Sequence, residues 1–413
     1  MTKSNVGQKS GPARTEAPNS RREGQKEPSF SKKIRKKFRI FSVRSGMDLP
    51  FLFLTLILLI IGLIMLFSAS YANAYYRHGS SYFFISRQAG FAVLGVIAMI
   101  FISYFDYHHL HKLAIPILLI SYMSMVLVLF TPRINGVHRW IDLGPLGQFQ
   151  PSEVAKFALI LVFSHLISIN FHRMGTFRYG VLPYLLILGA TAGLLVLEPH
   201  VSATVILVIL AAVMLFIGGV RLRWFGLAFG GAAAAVAYLV LFTQKFSYAN
   251  DRIRAWLDPF STVSKELMED TWQTRQSLYA IGSGGLLGLG LGQSRQKYLY
   301  LPEPQNDFIF AIVCEELGFI GALIIIILFA MLVWRGISIS LKAKDKFGML
   351  LGIGLVVQVG LQVVLNIAVV TNTIPNTGIS LPFFSYGGSS LVILLAEMGI
   401  VLSISRTSSI EKT

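Results

Sequence analysis

Long apolar runs alternate with short polar connections along most of this chain, and the runs recur at the length that crosses a bilayer. Ten spans are predicted, at about 49–70, 82–104, 110–130, 154–170, 181–197, 201–220, 225–243, 307–334, 348–370 and 386–405. The fold expected is therefore an all-α integral membrane protein of about ten transmembrane helices. A single membrane domain fills residues 47–406, with a large extracytoplasmic loop between the seventh and eighth helices and a short cytoplasmic tail at 407–413.

Composition agrees with this class. Of 413 residues, 54% are hydrophobic and 14% charged, far from a soluble globular average. Residues 1–46 hold 13 Lys or Arg against three Glu, a net +10 of the chain's +16. Their Ser, Gly, Pro and Lys content predicts a disordered cytoplasmic tail. It reads as a topology determinant or as a polybasic contact with anionic membrane lipids. Because this charge abuts a membrane span, nucleic acid is not an expected partner. No small-residue cleavage site follows the first apolar run, so that run is read as a retained span.

With the tail inside, the even-numbered connections, such as "DYHHLHK" and "RGISISLKAKDK", are short and basic, as cytoplasmic loops are. Both termini are then cytoplasmic. The odd-numbered connections, at 71–81, 131–153, 198–200, 244–306 and 371–385, face outward. The single cysteine, Cys314, falls in the eighth span and excludes an intramolecular disulfide.

The unusual residues gather in those outward connections. "PSEVAK" opens the fourth span with Pro151 and Ser152 as start signals, and Glu153 and Lys156 share a helix face. Alone, this pair is equally a capping acid with a snorkelling lysine. "LEPHVSAT" sets Glu198 near His200, either a proton-moving pair or a hydrogen-bonded turn. The loop of 244–306 mixes Arg252, Arg254, Arg275, Arg295 and Lys297 with Trp256, Trp272, Tyr298 and Tyr300, which suits anionic head groups beside sugar rings. Its "GSGGLLGLGLG" lacks the strand–helix–strand context of a dinucleotide site and predicts a tightly folded or re-entrant segment lining a cavity. Asp307 stands at the mouth of the eighth span, while Glu315 and Glu316 lie about 12 Å deeper at 1.5 Å per residue and are read as structural.

No Walker loop, Cys/His metal spacing or Gly-x-Ser-x-Gly elbow is present. Group transfer on the outer side would need a substrate that carries its own activation, and a lipid-linked diphosphate sugar fits. Asp307 could then act as general base on the acceptor hydroxyl.

Three stretches, "WIDLGPLGQFQPSEVAKFALI", "GLGLGQSRQKYLYLPEPQNDFIFAIVCEELGFIG" and "NTGISLPFFSYGGSS", resemble the strongest signatures of the SEDS family of shape, elongation, division and sporulation proteins. The lysine of "SRQKYLYLPEPQNDF" places the chain nearer the FtsW/SpoVE branch than the RodA branch. The resemblance implies a peptidoglycan glycosyltransferase of the bacterial cell membrane, polymerising lipid II for septal or spore wall synthesis and releasing undecaprenyl diphosphate. It implies a class B penicillin-binding protein as transpeptidase partner, with other division proteins further afield. The family's essential aspartate falls on Asp307, and substrate-binding positions on Glu153, Lys156, Arg295, Lys297 and Glu303. No protein-held metal is expected; a divalent cation, Mg or Mn, at the diphosphate is left open. The competing readings are a lipid II flippase and a non-enzymatic division scaffold. Two departures stand out: His200 replaces an acidic residue of the usual pattern, and "PEPQND" lacks its customary histidine.

Overall fold

The computed structural model describes residues 46–133, 137–144, 147–198, 200–227, 256–260 and 265–408. The helices are α1 (Leu49–His78), α2 (Phe83–Tyr104), α3 (His108–Val128), α4 (Pro151–Asn170), α5 (Leu182–Leu197), α6 (Val201–Ile217), α7 (Lys265–Gly284), α8 (Ile309–Leu341), α9 (Lys346–Val370) and α10 (Gly388–Thr407). A two-residue hairpin, β1 (Ile141–Asp142) with β2 (Gln148–Phe149), precedes α4.

Among the described residues, eight helices are long and apolar enough to cross a membrane, and α6 is a shorter apolar helix. They coincide with nine of the ten predicted spans. The seventh, at 225–243, lies almost wholly outside the described residues, as does the basic tail. The predicted limits of the first and eighth spans were too short: α1 runs to His78 and α8 to Leu341.

Local chemistry explains the helix ends. Asp48 caps α1 by accepting from the Phe51 amide, and Gly79 closes it in the left-handed region at φ 71°. The Asp48 carboxylate also receives two hydrogen bonds from Arg335 of α8, at 3.1 and 2.7 Å, tying these helices together. Asp345 caps α9 through the Gly348 amide. Between helices, small residues permit close approach. α10 lies along α2, and a Cβ on Gly399 would stand 2.6 Å from the Met99 carbonyl oxygen.

The main irregularity is inside α8. Gly318 takes φ 68° and ψ −171°, a conformation open essentially to glycine alone, and the helix breaks there. The glycine-rich segment after α7 fills the break. Leu289 and Gly290 donate backbone hydrogen bonds to the carbonyls of Glu315 and Glu316, while Phe319 and Ile320 donate to Gly285 and Leu286. Gly288 abuts this seam, where an added Cβ would lie 2.2 Å from the Glu316 carbonyl oxygen. The segment is thus tightly folded, as predicted, but it plugs a broken helix and does not line the large cavity described below.

Candidate active site

At the mouth of α8 the chain turns through "LPEPQND" and is stitched to the segment before α10. Tyr386 donates its amide to the Gln305 carbonyl, Ser385 donates its hydroxyl to the Asn306 carbonyl, and Asn73 of α1 donates to the Gln305 side chain. Asn366 of α9, fully buried, donates to the carbonyls of both Asp307 and Ile379, at 2.7 and 2.6 Å. One side-chain amide therefore straps the base of Asp307 to the "NTGIS" segment. Ser202 at the start of α6 donates to the Thr377 carbonyl of the same segment.

These straps surround a cavity of about 990 Å³. Its wall draws on all five connections predicted to face outward: Arg77, Trp140, His200, Glu303 and Ser380 each represent one of them. Four of the six predicted site residues line it, namely Glu153, Lys156, Glu303 and Asp307. Lys156 pairs with Glu153 at 2.8 Å, so the capping acid and its lysine do form the ion pair their spacing allowed, and they form it facing the cavity.

The other two predicted residues are elsewhere. Arg295 is exposed and away from the cavity wall. Lys297 is fully buried and donates to Glu316 at 2.8 Å. Neither lines the cavity, because the seam at Gly318 turns residues 292–297 back over α8. Glu315 accepts from Ser294 and from the Arg295 and Gln296 amides. Glu316 accepts from Ser68 of α1 and the Gly292 and Ser294 amides. The two deep glutamates hold a loop in place. Trp256, Trp272, Tyr298 and Tyr300 likewise lie off the cavity wall; Trp272 donates to the Tyr300 carbonyl. Arg252 and Arg254 lie outside the described residues.

Three cavity cations were missed: Arg77, Arg87 and Arg139. A signal existed, since arginines beside apolar spans on the predicted outer side run against the positive-inside tendency. Arg77 approaches Glu303 at 3.4 Å, and Arg87 lies over the Phe83 ring at 4.2 Å.

The site's electrostatics favour an uncommonly basic carboxylate. Burial, reinforced by the charge of Glu303 and opposed by Arg139, lifts Asp307 from 3.8 to about 6. Glu198, with both oxygens buried, is raised by burial to about 8 despite Arg139. Burial and the cations Arg139 and Lys156 push His200 down to about 3, so it stays neutral. The "EPH" turn thus supplies no ionised pair near neutrality, and the hydrogen-bonded-turn reading is the better one: Arg139 donates to the Glu198 carbonyl. Among the described residues, no group of three or more His, Cys, Asp or Glu is placed to hold a metal ion.

Comparison with known proteins identifies the family. The family model of the FtsW, RodA and SpoVE cell cycle proteins matches residues 49–410. Stage V sporulation protein E of Bacillus subtilis (strain 168) is 42% identical over 369 residues, 88% of this chain and 98% of that protein. A probable peptidoglycan glycosyltransferase FtsW of Geobacter sp. (strain M18) is 39% identical over 365 residues, 87% of this chain and 97% of the relative. Among solved structures, a chain from a peptidoglycan synthase complex that coordinates polymerization and crosslinking superposes with TM-score 0.72 at 27% identity, covering 89% of this chain and 99% of that one. The rod shape determining protein RodA of Thermus thermophilus superposes at 0.64 and 27% identity, with the same coverage. With nearly the whole membrane domain matched in sequence and in fold, the chain belongs to the FtsW/RodA/SpoVE family of cell cycle proteins, the SEDS family, as a multi-pass membrane protein of its FtsW/SpoVE branch.

Proposed function

We propose that the protein is a peptidoglycan glycosyltransferase that polymerises lipid II into β-1,4 glycan strands on the outer face of the cytoplasmic membrane. The observation that carries this reading is the position of Asp307: a carboxylate lifted to about 6, on the wall of a cavity of about 990 Å³ where five connections meet. Relatives named as probable peptidoglycan glycosyltransferases support it.

In the reaction, Asp307 takes the proton from the acceptor sugar hydroxyl as that oxygen attacks the anomeric carbon of the donor. The bond from that carbon to the diphosphate breaks, and the leaving group departs as undecaprenyl diphosphate. The negative charge that develops on it faces Arg77, Arg87, Arg139 and Lys156, preorganised around a partly enclosed space. Trp140 and Tyr386 offer rings beside the sugars. Glu303 accepts from Asn306 and approaches Arg77, and so shapes the rim next to the base. His200, held neutral, adds no charge that competes for the diphosphate.

Both termini are cytoplasmic in this reading, and a class B penicillin-binding protein supplies crosslinking. Support for such a partner comes from the structural likeness to a chain of a peptidoglycan synthase complex. The test is purified protein with its cognate synthase and lipid II, followed by gel detection of polymer. Polymer that depends on Asp307 is expected. Absence of polymer, with lipid II crossing vesicle membranes instead, would replace the reading by a transporter.

A further inference from the structure

Behind the cavity lies a second space of about 30 Å³, between α4, α9, α10 and the segment before α10. That is room for one or two water molecules. Glu153 lines both spaces, together with Gln362, Ser380 and Ser390. On the far side stands Glu397, in the otherwise apolar run "LLAEMGIV" of α10 and only 2% exposed. Ionisable groups inside a membrane span are expensive and tend to mark function.

Gln358 of α9 donates to one carboxyl oxygen of Glu397 at 3.1 Å. The second carboxyl oxygen, and the side-chain oxygen of Gln358, are buried without a hydrogen-bond partner among the described residues. Both of these residues line the small space. With Glu397 protonated on its second oxygen, a water in this space accepts that O–H and donates one of its own O–H groups to the Gln358 side-chain oxygen and the other to the Glu153 carboxylate. The local charge count is also informative. Glu153 takes Lys156 at 2.8 Å, whereas Glu397 forms no ion pair among the described residues. A buried charge without a partner is strongly disfavoured, so the carboxyl without the lysine holds a proton.

We propose that Glu397 is a positioning residue. As a neutral carboxylic acid it holds, through enclosed water, the carboxylate of Glu153, and through it keeps the Lys156 ammonium turned to the substrate's anionic head group. This rests on the proposed function for the head group's identity, but not for the existence of the linkage. Glu397 does not line the main cavity and does not touch substrate.

The test measures lipid II binding in detergent to Asp307→Asn protein, which removes turnover. Adding Glu397→Leu should weaken binding about tenfold, the effect of losing roughly one well-placed hydrogen-bonded contact. Glu397→Gln, neutral and still hydrogen-bonding, should stay within about threefold of its parent on the same scale. With Asp307 intact, Glu397→Leu should raise KM while kcat changes little. Gln358→Leu, which strips the same water site from the other wall, should raise KM in the same way, and serves if Glu397→Leu does not fold. Unchanged binding in a Leu variant of normal melting temperature would overturn the proposal. So would a Gln variant as weak as the Leu variant, because an ionised carboxylate would then be required. If the wild type binds lipid II in a Glu397-dependent way yet makes no polymer, the linkage stands and the glycosyltransferase reading falls.

Discussion

Lys297 and Glu316, nineteen residues apart, form an ion pair of 2.8 Å with both side chains wholly enclosed. The pair pins the turn at 292–297 against the broken helix α8, and Ser68 of α1 joins it by donating to the same carboxylate. It places the loop that leads into Asp307. The pair therefore contributes to folding and positioning.

Removing one partner of such a pair leaves a buried charge uncompensated, at a cost of about 3–5 kcal/mol. Lys297→Met and Glu316→Gln should each lower the detergent melting temperature sharply. The double variant should lose less than the sum of the two. A Lys297→Met protein that melts normally but cannot bind lipid II would return Lys297 to the substrate site.

Asp307→Asn keeps size and hydrogen bonding but cannot accept the proton, so polymerisation should fall by roughly 10²–10⁴-fold at normal melting temperature and partner binding. The wild-type pH profile should carry the same signature. The carboxyl is raised from 3.8 to about 6, so its basic form is present above that value and lost below it. kcat/KM should thus fall as pH drops through about 6. Arg139→Gln removes the cation that opposes this rise and should move the limb to higher pH. A profile flat down to pH 4, read on a protein that remains folded, would point to another base, with Glu153 the next to test.

Gly318→Ala should be among the most damaging small substitutions in the chain. The backbone there is in a glycine-only region, and the new methyl would lie 2.2 Å from the Gly288 amide nitrogen. Loss of the seam should free the segment at 284–292, read as faster proteolysis there and a lower melting temperature. Gly189→Ala, on an open surface of α5, provides the control and should melt within a degree or two of wild type.

A topology reporter after Lys342 should behave as cytoplasmic and one near residue 265 as extracytoplasmic, following the Lys and Arg asymmetry of the connections. Reporters on the same side would reverse or break the arrangement on which an outward-facing cavity depends.

Much of this protein was legible in its sequence because bilayer physics is one-dimensional. A span must be apolar for about 20 residues, must satisfy its own backbone and must end in polar chain, and all three conditions are written locally. The predicted spans at 82–104 and 348–370 match α2 and α9 almost residue for residue. The i,i+3 spacing of Glu153 and Lys156 likewise announced their ion pair. The odd carboxylates of "QNDFIFAIVCEELG" were visible too, and their different depths separated Asp307 from Glu315 and Glu316.

What the tertiary structure decided was direction and company. Lys297 carries the same charge and lies in the same loop as a substrate-binding residue would, but the broken helix at Gly318 turns it inward onto Glu316. Arg139 is distant in sequence from Arg77 and Arg87, and the three meet only because α1, α2 and the loop before α4 converge on one cavity. Glu397 and Gln358 sit on different helices, and nothing in either run names the other. Hydropathy and spacing report which residues must leave water and which share a helix face. They carry no term for which side chains end up opposite one another across the bundle, since that depends on long-range packing and on where a helix breaks.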